Sequence, residues 1–204
     1  MTRDTGVLVL TSTGLSNEVV AQEFKSFVVN PADDTVAIVT TASEGKEQNK
    51  YSQLAKEQLI AMGFRSVEFV DFETDAKVDL SSYKVFYVCG GNTFKLLKYA
   101  REANFKTSVE QLLNRGGVYI GVSAGSIIVG PSISIADEVE PDPNDVGLKD
   151  LAGFDITDVI VCPHYIPRIE TEVQAFEAKH SVIVERLTDS QAIILRGSSK
   201  EIVG

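Results

Sequence analysis

The chain has 204 residues, 44% of them hydrophobic and 24% charged, with 15 glycines and 6 prolines, which suits one globular domain with a sizeable core and excludes a disordered segment. Its 19 basic and 29 acidic side chains give a formal charge of −10 with no basic cluster, which argues against nucleic acid and anionic membrane as partners. No run reaches the roughly 20 apolar residues of a membrane span; the N-terminus, 1–6, resembles neither a signal nor a transit peptide, and Cys89 and Cys162 end apolar segments as buried hydrophobes do, so a reducing cytoplasm is the expected location.

Short β-branched runs alternate with helix-period segments, the pattern of βαβ units around a mainly parallel sheet. A strand over 6–10 is followed by a helix that Ser16 or Asn17 caps, with Val20, Phe24, Phe27 and Val28 as its apolar stripe. A strand over 35–40 leads to a helix in which Tyr51, Leu54, Ala55, Leu59 and Met62 recur, stopped by Gly63. Strands over 66–72 and 84–89 come next, the second running into Gly90-Gly91, and helices follow over 93–103 and 108–115. A fifth strand, 118–122, stops at Ser123, with a short helical run over 126–129 beyond it. The stretch 133–143 reads as irregular and acid-rich, 159–162 as a sixth strand, 169–179 as a helix, and 181–186 and 192–196 as final strands. The expected fold is a single doubly wound α/β domain over 1–204, a three-layer sandwich.

Gly121-Val122-Ser123-Ala124-Gly125 lies where a buried strand meets a helical run. A serine on so sharp a turn is lifted above the C-terminal edge of the sheet, and flanking glycines leave room for it. Such a nucleophile needs a base and donors for the oxyanion. Gly90-Gly91-Asn92-Thr93 follows the preceding strand to the same edge, so the amides of Gly91 and Ala124 are the candidate donors. Of the two histidines, His180 closes a polar helix, whereas His164 follows a strand onto the edge that carries Ser123. The third member should be a carboxylate, and Asp137 or Glu138, between serine and histidine, are the candidates. No cysteine and histidine spacing suits zinc, and no cofactor is implied.

Gly90-Gly91-Asn92-Thr93-Phe94, Ser123-Ala124-Gly125 and Pro163-His164-Tyr165, in that order, resemble the peptidase E family of serine peptidases, which includes aspartyl dipeptidases and is related to the cyanophycinases. The resemblance implies a fold related to class I glutamine amidotransferases, with Ser123 as nucleophile, His164 as base, Gly91 and Ala124 as oxyanion donors, and Glu138 as the aligned acid with Asp137 beside it. The dipeptidases carry Gly-Glu-Thr-Arg-Glu beyond the histidine, whose arginine holds the substrate's aspartyl side chain; this chain has Pro167-Arg168-Ile169-Glu170-Thr171-Glu172 there. Free-N-terminal peptides with reduced aspartyl selectivity are therefore the expected substrates. Asn92, Thr93, Arg168 and Glu170 are candidate substrate contacts, with Glu170 or Glu172 holding the substrate ammonium. The compatible partners are a small peptide substrate and a second copy of the chain in a homodimer.

Two rival readings are a flavodoxin-like module, with Thr11-Ser12-Thr13-Gly14-Leu15-Ser16 as a phosphate loop, and a family member without activity.

Overall fold

The structure, a computed structural model, describes residues 6–204. The expectation about a leader peptide falls on residues that, apart from Gly6, lie outside the described residues.

Five apolar strands, β1 (Val7–Thr11), β2 (Thr35–Val39), β3 (Ser66–Val70), β4 (Val85–Val88) and β5 (Val118–Val122), form a parallel array in the order β3-β2-β4-β5-β1. Two three-residue strands, β6 (Ile160–Cys162) and β7 (Val184–Arg186), make a separate parallel pair. The main sheet is completed by β8 (Ala192–Arg196), antiparallel to β1, and β9 (Ser199–Val203), antiparallel to β8.

Successive side chains on a strand face opposite ways, so each strand feeds two cores. Val7, Val9, Ile38, Tyr87 and Ile120 pack with Val20 and Phe24 of α1 (Glu18–Ser26) and Leu59 of α2 (Lys50–Ala61). Leu8, Leu10, Val39, Phe86 and Tyr119 pack on the other side with α3 (Thr93–Glu102), α4 (Phe105–Asn114) and α5 (Ala124–Ile127). Each large side chain so buried contributes about 1.5–3 kcal/mol. The result is the expected doubly wound three-layer sandwich. No helix among the described residues is long and apolar enough to cross a membrane.

Three local expectations need correction, and one strand was not anticipated. The strand expected at 159–162 leaves the main sheet to pair with β7, because it packs its apolar residues over α5. Tyr51 and Leu54 do not belong to the buried stripe of α2: they are 68% and 42% exposed, and the helix turns Ser52, Ala55 and Leu59 inward instead. Within 133–143 the chain forms one helical turn, α6 (Ile135–Glu138). Strand β9 carried no periodic signal because it is an exposed edge, joined to β8 by the two-residue turn Gly197-Ser198 with Gly197 at φ 58°. The helix expected over 169–179 is α7 (Glu170–His180).

Candidate active site

Strand β5 lies between β4 and β1, and at its end Ser123 takes φ 50°, ψ −109° before α5 begins. A non-glycine residue there stores about 1–3 kcal/mol of strain and persists only when its surroundings impose it. They do so through hydrogen bonds: the Ser123 amide donates to the Thr11 carbonyl at 2.8 Å, and its carbonyl accepts from the Ser126 and Ile127 amides at 2.8 and 3.1 Å. A Cβ on Gly121 would meet the Gly125 carbonyl, and one on Gly125 the Val88 carbonyl, so both glycines of the elbow are sterically required.

Gly91 follows β4 with φ 133°, and a side chain there would collide with the Ala42 carbonyl. Neither the Gly91 nor the Ala124 amide donates to another described residue, which leaves two backbone N–H groups beside Ser123 available to an oxyanion.

His164, at φ 56°, follows β6 and borders the same cavity of about 130 Å³ as Ser123 and Gly91. Its Nδ1 lies 2.7 Å from Asp189 Oδ1, and its Nε2 has no hydrogen-bond partner among the described residues. A carboxylate on Nδ1 fixes the tautomer that leaves Nε2 free to accept a proton.

The carboxylate on His164 is therefore Asp189, and not Asp137 or Glu138. Glu138 ends α6 and faces α7, where it binds Lys179 Nζ at 2.9 Å and His180 Nε2 at 2.9 Å; these contacts hold its carboxyl below the usual range, Lys179 contributing most. Asp137 is exposed on the same turn. His180 is thus engaged away from Ser123, its ring tilted against Phe176 with centroids 4.4 Å apart. Asp189 was not among the residues that the sequence singled out. The available signal was that it lies just past β7, which runs parallel to β6 and so delivers its following loop beside His164.

The candidate substrate contacts divide. Thr93 is buried in the cavity wall, its amide donating to Asp142 Oδ2 at 2.8 Å. Asn92 is occupied structurally: its Oδ1 accepts the Lys95 amide at 2.8 Å as the cap of α3, and its Nδ2 donates to the Pro143 carbonyl at 2.6 Å. Arg168 is 76% exposed and paired with Glu140 at 3.0 Å, outside the cavity lining. Glu170 is taken by the Arg186 guanidinium at 2.9 and 3.2 Å, with the Tyr165 hydroxyl at 2.9 Å and the Gln174 amide, which hold its carboxyl at about 2; it does not line the cavity.

The cavity wall carries the carboxylates of Glu140 and Asp142 and no lysine or arginine, and Ile127, Ile135, Val139 and Ile169 supply its apolar side. Cys162 also borders it, but burial pushes its thiol up to about 11, so it remains protonated near neutral pH and is not a competing nucleophile.

The segment proposed as a phosphate loop has its hydroxyl protons committed internally. Thr11 Oγ1 donates to the Gly121 carbonyl at 2.7 Å, Ser12 Oγ to that of Leu187 at 2.9 Å, Thr13 Oγ1 to that of Asp189 at 2.7 Å, and Ser16 Oγ to that of Thr13 at 2.8 Å. No hydroxyl donor of this loop is left for a phosphate.

Known proteins resemble this chain along most of its length. The model of peptidase family S51 matches residues 8–203. An uncharacterized peptidase of Pasteurella multocida is 26% identical over 188 residues, covering 89% of this chain and 90% of the relative. Peptidase E of Salmonella paratyphi A is 31% identical over 120 residues, 57% of this chain and 49% of the Salmonella protein. A crystal structure from Listeria monocytogenes superposes with a TM-score of 0.79 at 26% identity, covering 98% of both chains.

Proposed function

The chain belongs to peptidase family S51 and is a serine-type peptidase, and we propose that it hydrolyses small peptides through an acyl-enzyme on Ser123, with His164 as base and Asp189 as the group that orients it. The observation that carries this reading is the strained elbow serine sharing one cavity with a histidine whose far nitrogen is bound by a carboxylate.

In this mechanism Ser123 Oγ attacks the peptide carbonyl as its proton passes to His164 Nε2, and the carbonyl oxygen becomes an oxyanion held by the Gly91 and Ala124 amides. Collapse of the tetrahedral adduct breaks the C–N bond, and the leaving amine takes the proton from His164. Water then repeats the sequence on the ester: His164 accepts its proton, the hydroxide adds, and Ser123 Oγ departs with that proton. Asp189 holds the ring throughout and stabilises its charged form.

The substrate class follows from charge. Of the two acidic residues that line the cavity, Glu140 is paired with Arg168 outside it, which leaves Asp142, with no lysine or arginine in the wall, to repel an aspartyl side chain and attract a free N-terminal ammonium. Neutral N-terminal residues are accordingly favoured over aspartate. The test is a panel of Asp-X, Asn-X and Ala-X dipeptides and aminoacyl amides, with Ser123→Ala as control. Ala-X turnover that exceeds Asp-X and vanishes in the control is the expected result. Unchanged turnover in Ser123→Ala defeats the mechanism, and a strong Asp-X preference defeats the charge argument.

A further inference from the structure

The three residues assigned to catalysis sit on separate connections: Ser123 after β5, His164 after β6 and Asp189 after β7. Two of the side chains are exposed, 45% for His164 and 67% for Asp189. Loops so exposed are not held by burial, yet catalysis needs their atoms aligned to within about 0.5 Å. Something rigid has to hold all three.

The end of β1 is buried and doubly paired, to β5 on one side and β8 on the other. Thr11 is also locked to Ser126, whose Oγ accepts the Thr11 amide at 2.9 Å and donates to the Thr11 carbonyl at 2.8 Å. From this anchor three consecutive residues reach the backbones of all three catalytic residues. The Thr11 carbonyl accepts the Ser123 amide at 2.8 Å, Ser12 Oγ accepts the His164 amide at 3.0 Å, and Thr13 Oγ1 donates to the Asp189 carbonyl at 2.7 Å. Ser12 Oγ simultaneously donates to the Leu187 carbonyl at 2.9 Å, fastening the chain two residues ahead of Asp189. A hydroxyl, with one proton and two lone pairs, is the side chain that serves both bonds.

We infer that Thr11-Ser12-Thr13 is the positioning element of this active site, with Ser12 and Thr13 as positioning residues that set the His164–Asp189 pair against Ser123. The inference rests on the catalytic assignment proposed above. Neither hydroxyl acts on the substrate; each acts through the backbone it holds, and a shift of His164 by about 1 Å lowers the rate by up to about a hundredfold.

The experiment uses a fluorophosphonate, which reacts with an activated serine, and resolves its labelling of Ser123 into a maximal rate and a half-saturating concentration. Wild type, His164→Ala, Ser12→Ala, Thr13→Val and Thr13→Ser are compared, with Thr13→Val repeated in an Asp189→Ala background and thermal melting reporting the fold. Ser12→Ala and Thr13→Val are expected to lower the maximal rate about tenfold or more at unchanged half-saturation. Thr13→Ser, which keeps the donor, restores it, and Thr13→Val adds no further loss once Asp189 is gone. Ser12 is buried, so if Ser12→Ala does not fold, the partly exposed Thr13 decides. His164-dependent labelling of the wild type with an unchanged rate in Thr13→Val overturns the inference alone, as does an equal loss from Thr13→Val in the Asp189→Ala background. Labelling that ignores His164→Ala overturns the catalytic assignment and the inference with it.

Discussion

Replacing Asp189 by asparagine keeps the shape of the side chain and removes its charge. The separation is 2.7 Å, and the Asp189 side chain is 67% exposed. At that distance the Coulomb attraction for a protonated His164 lies near its water limit, about 1.5 kcal/mol. Solvent screening prevents the larger value of a buried pair. Counted as a whole, a hydrogen bond to a charged group contributes about 1.5–3 kcal/mol, so Asp189→Asn should slow acylation about 10- to 150-fold. This is well short of the roughly 10⁴-fold loss seen when a deeply buried triad carboxylate is neutralised. Stopped-time fluorophosphonate labelling of Ser123, with Glu138→Gln in parallel, measures it. Wild-type labelling in Asp189→Asn together with a loss in Glu138→Gln would refute the assignment of Asp189, and a 10⁴-fold loss would refute the screening argument.

Three further outcomes follow from individual residues. Ser123→Gly removes the penalty of φ 50°, about 1–3 kcal/mol, against roughly 0.5–1 kcal/mol of glycine entropy, so a melt should show Tm raised by about 2–5 °C; a lower Tm contradicts the strain. Gly91→Ala, which combines φ 133° with a collision at the Ala42 carbonyl, should lower Tm by about 5–10 °C and slow labelling about tenfold or more as the amide is displaced; wild-type values in both assays remove Gly91 from the oxyanion role. Glu170, whose carboxyl Arg186 chiefly holds at about 2 against an ordinary 4.5, adds stability that is present above pH 4.5 and lost as pH falls through about 2. The Tm difference between wild type and Glu170→Gln, followed across that window, should shrink to nothing at its acid end; a difference that grows there reverses the sign of the argument.

The parallel architecture was legible because its signal is local. β-Branched runs at 35–40, 84–89 and 118–122 alternate with helix-period segments, and burial on both faces keeps such strands continuously apolar. The elbow was legible for the same reason: Ser123 and its two glycines are contiguous, and their spacing encodes the turn. Edge strand β9 was not, since a strand exposed on its own residues has no hydrophobic period to read. Tyr51 and Leu54 matched a helical stripe in spacing, but spacing alone does not say which of two overlapping stripes meets the sheet.

For the proposed site, the sequence by itself pointed to Ser123, to the glycine turn at Gly91 and to His164 in place of His180, because each follows from a residue type at a strand end. Tertiary structure alone decided the partner of that histidine. Separation along the chain does not choose between Asp137 and Glu138, 27 and 26 residues before His164, and Asp189, 25 residues after it; α6 packs toward α7 and gives Glu138 to Lys179 and His180, while the parallel pairing of β7 with β6 brings Asp189 to His164. It also decided the use of Thr11-Ser12-Thr13, which read as a phosphate loop and instead ties together residues more than a hundred positions away. The physical reason is common to both: a hydrogen bond acts over about 3 Å of space and is indifferent to separation along the chain, so only the packed strands can specify which polar groups come within its reach.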